Sequence, residues 1–182
     1  MVDYEQKPRY DISDLREIMK LLRSPGGCPW DKEQSHTSIR NDFLEEVYEV
    51  VEAIDENDPE HLKEELGDVL LQIMLHTEME REKGTFDFDE VVNELCQKLV
   101  IRHPHVFGDA VAKDSFEALG RWDEIKLQTK GLKKQSESML KVPREFPALM
   151  RAQKIQQKAA KAGFDWDNLS GAVGKLYEEI NE

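Results

Sequence analysis

The sequence predicts an all-α protein, an antiparallel helical bundle. Apolar residues recur at helical spacing almost throughout the chain, and no segment shows strand alternation flanked by turns. Prolines, glycines and cap residues interrupt that periodicity, as they do between neighbouring helices of a bundle. Charged residues make up 35% of the chain, which fits long solvated helices, and the 39% of apolar residues suffices for a core.

The elements follow in order. Residues 13–23, SDLREIMKLLR, place Leu15, Ile18, Met19 and Leu22 on one stripe, with Ser13 as the expected N-cap. SPGGCPWD (24–31) breaks the chain with two prolines and two glycines. A second helix is expected from about Ser38 to Asp55. ENDPE (56–60) is a turn in which Asp58 can cap and Pro59 suits the first helical position. A third helix runs from about Pro59 to Lys83 and stops at Gly84. A fourth covers about Asp89 to Arg102, before Pro104, and a fifth about Ser115 to Thr129, stopping at Gly131. Residues 130–146 are basic and polar with weak periodicity and read as a linker. Helical spacing returns over 147–162 and ends at Gly163. The closing LYEEINE (176–182) echoes FLEEVYE (43–49), and a tryptophan precedes each, Trp166 and Trp30. The echo suggests a second copy of the first unit, although two acidic helices can coincide over so short a stretch.

Charge narrows the partners. A net charge of -13 argues against nucleic acid or an anionic membrane surface as the main partner. It leaves room for a phosphorylated small molecule, because cations can bridge carboxylates to phosphates. Cys28 and Cys96 sit in no CxxC or Cys/His pattern, so zinc is not expected. The start MVDYEQKPRY lacks an apolar leader core, and no 18-residue apolar run occurs. A soluble, cytoplasmic protein is expected.

The acids of the second and third helices carry the chemistry. On a helical wheel Leu44, Val47, Tyr48, Val50, Val51 and Ile54 fill one arc, and Glu45, Glu46, Glu49 and Glu52 lie opposite. Taken alone, that is an ordinary amphipathic helix with a wet face. The third helix is apolar nearly all round and should be largely buried, yet His61, Glu65, Asp68, Gln72 and His76 share one wedge. Such a wedge must face water, a partner or a ligand, because unpaired buried carboxylates are costly. If the two helices form a hairpin about Asn57, Glu49 and Glu65 are each eight residues from it, and Glu46 and Asp68 each eleven. Residues equidistant from the turn lie level, and acids three apart share a face. The four carboxylates would then converge roughly 12 Å from the turn. Lys63 is the only lysine or arginine between Glu45 and Asp68, so divalent cations are the natural relief of the repulsion. All-oxygen ligands favour Mg²⁺ or Mn²⁺ over zinc or copper. A di-iron bundle would want two Glu-x-x-His pairs on core helices, whereas the single such pair, Glu33 with His36, lies in or beside a loop.

The arrangement EExxE (Glu45, Glu46, Glu49) followed by ExxD (Glu65, Asp68) resembles the MazG nucleoside triphosphate pyrophosphohydrolases of the all-α NTP pyrophosphatase superfamily. GGCPWDKEQ (26–34), KLVIRHPHVFGD (98–109) and LMRAQKIQQKAAKAGFDW (149–166) strengthen the resemblance, which covers the chain from about residue 12 onward. It implies a dimeric MazG-type bundle and Mg²⁺-dependent cleavage of nucleoside triphosphates to monophosphate and pyrophosphate. Carried over by position, Glu46, Glu49, Glu65 and Asp68 would be metal ligands. Glu45 would support a ligand or orient the attacking water, and Glu45 or Glu49 would take its proton. Lys98 and Arg102, and Trp122 and Lys126, each four apart on one helix, match substrate-binding positions; Trp30 would stack on a base. The plain alternatives are core packing for Trp30 and Trp122 and a solvated face for Lys98 and Lys126. His103 and His105 read as loop structure. Because such proteins often carry tandem copies, the implied organisation is a first domain over 12–129, a linker over 130–146 and the opening of a second copy over 147–182, whose ExxD half would lie beyond Glu182. The rival function is a non-catalytic dimerisation or regulatory copy.

Overall fold

A computed structural model of the chain describes residues 2, 4–129 and 135–182. Every regular element among them is a helix, as predicted. One unit spans residues 1–97 and holds α1 (Ile12–Arg23), α2 (Pro29–Glu33), α3 (Arg40–Glu56), α4 (Pro59–Lys83) and most of α5 (Phe88–Arg102). The other, Lys98–Glu182, holds the end of α5, α6 (Pro104–Phe107), α7 (Ser115–Thr129), α8 (Gln135–Leu140), α9 (Ala148–Lys161) and α10 (Leu169–Asn181).

In the first unit α1 is capped by Asp11, not by Ser13. Asp11 Oδ1 accepts from the Ser13 N–H at 2.8 Å and the Asp14 N–H at 3.2 Å, while Asp14 Oδ2 accepts from the Asp11 N–H at 3.0 Å. This reciprocal box satisfies backbone donors on both sides of the helix start, which the Ser13 hydroxyl alone would not. The chain then folds back on the end of α1. A Cβ at Gly27 would lie 2.2 Å from the Leu21 carbonyl oxygen, so glycine is what permits that approach. Arg23 fixes the fold-back: Nε and Nη2 donate to the Glu82 carboxylate at 2.8 and 2.9 Å, and Nη1 donates to the Asp31 carbonyl. The short α2 was not legible, because five residues are too few to show a period.

The α3–α4 hairpin forms as read. Asn57 takes the left-handed conformation at φ 55° and ends α3. Asp58 accepts from the Glu60 and His61 N–H groups at 3.0 and 3.1 Å, Pro59 opens α4, and Gly84 at φ 71° closes it. Apolar packing gathers at one part of this unit. Met19, Ile39, Met74, Leu75 and Met79 form its buried core, with Leu15, Leu22, Leu70 and Phe88 against them. The expectation of a largely buried α4 is met by its second half only; Leu66, nearer the turn, is exposed. On α3 the apolar arc faces outward: Leu44, Val47, Tyr48, Val51 and Ile54 are all exposed, and Ala53 is buried.

In the second unit α8 packs against α9, so part of the expected linker is helical. The stop expected at Gly131, and residues 130–134 of that linker, lie outside the described residues. Gly163, at φ 82°, follows the end of α9, and Asn168 caps α10. Among the described residues no helix is long and apolar enough to cross a membrane.

Candidate metal centre and substrate groups

The hairpin brings acids from both helices together. Carboxylate oxygens of Glu46 and Glu49 on α3 and Glu65 on α4 lie within 4.8 Å of one another. These are three of the four residues that equal spacing from Asn57 placed level. The fourth, Asp68, is half-buried and stays outside that close group, although its charge acts on Glu46. Glu45 and Glu52 are exposed. The wet-face reading of α3 therefore fails for Glu46 and Glu49, which are half-buried against α4.

The electrostatics are unfavourable as they stand. Burial, followed by the charges of Asp68, Glu49 and Glu65, pushes the Glu46 carboxyl above its ordinary range, against a hydrogen bond from Gln72. Burial and then Glu49 push Glu65 up, and His61, 3.3 Å from Glu65 Oε1, opposes them. Among the described residues no lysine or arginine forms an ion pair with these three glutamates. Glu65 Oε2 and Gln72 Oε1 are buried without a hydrogen-bond partner. Orphaned oxygen acceptors beside converging carboxylates form an all-oxygen donor set that fits a hard divalent cation.

Farther along α4 lies a network that the sequence reading missed. His36 Nε2 meets Glu80 Oε1 at 2.5 Å, and His36 Nδ1 meets His76 Nδ1 at 2.7 Å, with the two rings stacked. Lys83 Nζ donates to Glu80 Oε1 at 2.6 Å, and the Thr85 hydroxyl donates to Oε2. Lys83, Thr85 and His36 together hold the Glu80 carboxyl down at about 2. Burial, and then His36, lowers His76. The polar wedge of α4 continues from His76 to Glu80 at a spacing of four, which was a usable signal; His36 comes from a loop and gave none. Because the Glu80 pKa is depressed from 4.5 to about 2, its contribution to stability is full above pH 4.5 and lost as pH falls through 2. Glu80→Gln is expected to lower resistance to urea at pH 6, with the deficit closing between those two pH values. A deficit that stays constant with pH would refute this role.

The cationic and aromatic candidates fall as follows. In the second unit Arg102 is buried, with its guanidinium carbon 5.5 Å from the centroid of the Trp122 ring, and Lys126 Nζ lies 4.2 Å from the same ring. Lys98 is exposed on α5. Trp30, in the first unit, is 57% exposed, so it is not a core residue. His103 Nδ1 meets the Leu99 carbonyl at 2.6 Å, in keeping with a role in closing α5.

The family described as MazG nucleotide pyrophosphohydrolase domain matches residues 34–107. The chain is 48% identical over 172 residues to the nucleoside triphosphate pyrophosphohydrolase of Escherichia coli (strain K12), covering 94% of this chain and 65% of that protein. It is 44% identical over 171 residues to the nucleoside triphosphate pyrophosphohydrolase/pyrophosphatase MazG of Thermotoga maritima, again with 94% of this chain and 65% of that protein covered. The chain thus spans slightly under two thirds of the length of these curated relatives. The crystal structure of a mazG-related protein from Thermotoga maritima superposes with a TM-score of 0.53 at 29% identity, covering 63% of this chain and 98% of the other.

Proposed function

Because the chain belongs to the MazG nucleotide pyrophosphohydrolase family, we propose that it hydrolyses nucleoside triphosphates to nucleoside monophosphate and pyrophosphate, with Mg²⁺ (or Mn²⁺) as the cofactor. The observation that carries this reading is the convergence of Glu46, Glu49 and Glu65 within 4.8 Å, beside an unpartnered Glu65 oxygen. These three, with Asp68, would hold the cation. When bound, such an ion neutralises charge on the triphosphate oxygens and acidifies a water molecule. Glu45 or Glu49 orients the attacking water and accepts its proton. Lys98, Arg102 and Lys126 hold the departing phosphates, Trp122 positions the cations beside its ring, and the exposed Trp30 offers a face to a base.

The same reading covers organisation and assembly. Residues 12–129 form the catalytic domain and 130–146 the connection. In chain order residues 147–182 repeat the opening of the first copy: α9, a loop bearing Trp166, then α10 with its Tyr-Glu-Glu, as α1 is followed by Trp30 of α2 and then α3 with its Leu-Glu-Glu. The protein acts as a homodimer through the exposed apolar arc of α3. The test is release of pyrophosphate from a panel of nucleoside triphosphates, with Mg²⁺ and with EDTA. Metal-dependent release is expected; none from folded, dimeric protein would overturn the reading and leave a non-catalytic copy.

A further inference from the structure

Beyond the matched residues 34–107, the second unit contains a pocket of about 460 Å³ between α7 and the α8–α9 segment. Five lysines line it, Lys126, Lys141, Lys154, Lys158 and Lys161, against a single acid, Asp123. This is a local excess of four positive charges on a chain whose net charge is -13. Two of the lysines are fixed by the fold. Lys161 pairs with Asp123, and Lys158 donates to the hydroxyl of the buried Ser138. Among the described residues Lys141 and Lys154 form no ion pair. Trp122 forms part of the wall, and the buried Arg102 stands 5.5 Å from its ring with its Nε unpartnered.

Like charges around one lumen repel, and more strongly where walls exclude water. A solvated lysine face would spread such groups over the surface, whereas here they come from two helices, α7 and α9, and the loop after α8 to line one space. The volume falls in the range of small-ligand sites. Lysine acts toward phosphate as a mobile point charge, so several of them suit a chain of phosphates better than a planar carboxylate.

We propose that this pocket binds a polyphosphate chain, either free as pyrophosphate or carried by a nucleotide, with Lys141, Lys154, Lys158 and Lys161 as ligands that extend the site beyond Trp122 and Lys126. The proposal shares those two residues with the reading above and otherwise does not depend on it. Calorimetry of the whole chain at low salt, in EDTA, isolates the pocket, because without a cation the acid cluster repels phosphates. One molecule of pyrophosphate or ATP is expected to bind per chain, with affinity falling steeply as salt rises. Tighter binding of ATP assigns the site to a nucleotide, and equal binding assigns it to the phosphate chain alone. The double variant Lys141→Glu with Lys154→Glu, both exposed positions, is expected to weaken binding about tenfold or more. Lys63→Glu, in the other unit, changes net charge in the same direction and is expected to leave binding unchanged. No binding in EDTA, or equal loss in both variants, would overturn the proposal, even if Mg²⁺-dependent hydrolysis persisted. Binding without hydrolysis would instead overturn the catalytic reading and leave the pocket assigned.

Discussion

Glu49→Gln is expected to lower pyrophosphate release by about a thousandfold or more while leaving the fold intact. Glu49 is half-buried on α3, within the close group formed with Glu46 and Glu65. Its charge is the second cause, after burial, of the raised Glu65 carboxyl. A neutral amide of the same size therefore removes repulsion from the apoprotein rather than support. The loss should appear in cation binding. Mg²⁺ at a hundred times its Kd is expected to stabilise the wild type by about 2.7 kcal/mol. For a chain of this length that raises Tm by roughly 5–10 °C. The variant should show no such rise. Glu45→Gln, at an exposed position outside the cluster, should keep the Mg²⁺-dependent rise in Tm and lose turnover if Glu45 is the base. Wild-type turnover in Glu49→Gln would sink the ligand assignment.

The same charges set the pH response of the site. Glu46 and Glu65 have raised pKa values, so on acidification they take up protons before an ordinary carboxyl does. A cation must displace those protons, and its affinity falls with pH from a higher starting point than for isolated glutamates. In the apoprotein the sign is reversed: a raised carboxyl pKa is a cost at neutral pH that acidification relieves. Glu80, held at about 2, responds in the opposite sense from the same helix.

Much of this was legible because it is local. Asp58, Pro59 and Gly84 mark both ends of α4 by their own backbone chemistry. Counting from Asn57 brought Glu46, Glu49 and Glu65 to one level, though not Asp68 into their close group, because a short turn enforces antiparallel register. What was missed depends on contacts distant in sequence or on too few residues. Asp11 and Ser13 are both able to cap, and the reciprocal pair in which Asp11 Oδ1 accepts from the Asp14 N–H and Asp14 Oδ2 accepts from the Asp11 N–H selects the former. α6 has four residues and α8 six, fewer than two helical turns. The His36–His76 pair joins residues forty apart. A helical wheel sorts α3 into two sides, but it does not say which side a single chain covers.

That last point leads to an expected change of assembly state. Val51→Glu should convert a dimer into a monomer at micromolar concentration and lower turnover with it. On α3 the half-buried side carries Glu46 and Glu49, while Leu44, Tyr48, Val51 and Ile54 are 56%, 55%, 46% and 53% exposed. Single exposed apolar residues are commonplace, but a continuous arc of large ones along a helix marks a surface that is covered. Leu66 and Leu71 of the neighbouring α4 are exposed as well. Burying one such side chain is worth about 1.5–3 kcal/mol. In a two-fold dimer each substitution enters twice, and a buried, unpaired glutamate adds its desolvation to the lost contact. The change lies on the opposite face of α3 from the acids, so the metal group within one chain should remain assembled. Light scattering on wild type and variant reads the outcome. A monomeric wild type, or a variant that stays dimeric, would show that this arc is not the interface. A monomeric variant that still gains Tm with Mg²⁺ would show that one chain suffices to bind the cation, and that the second copy serves a later step.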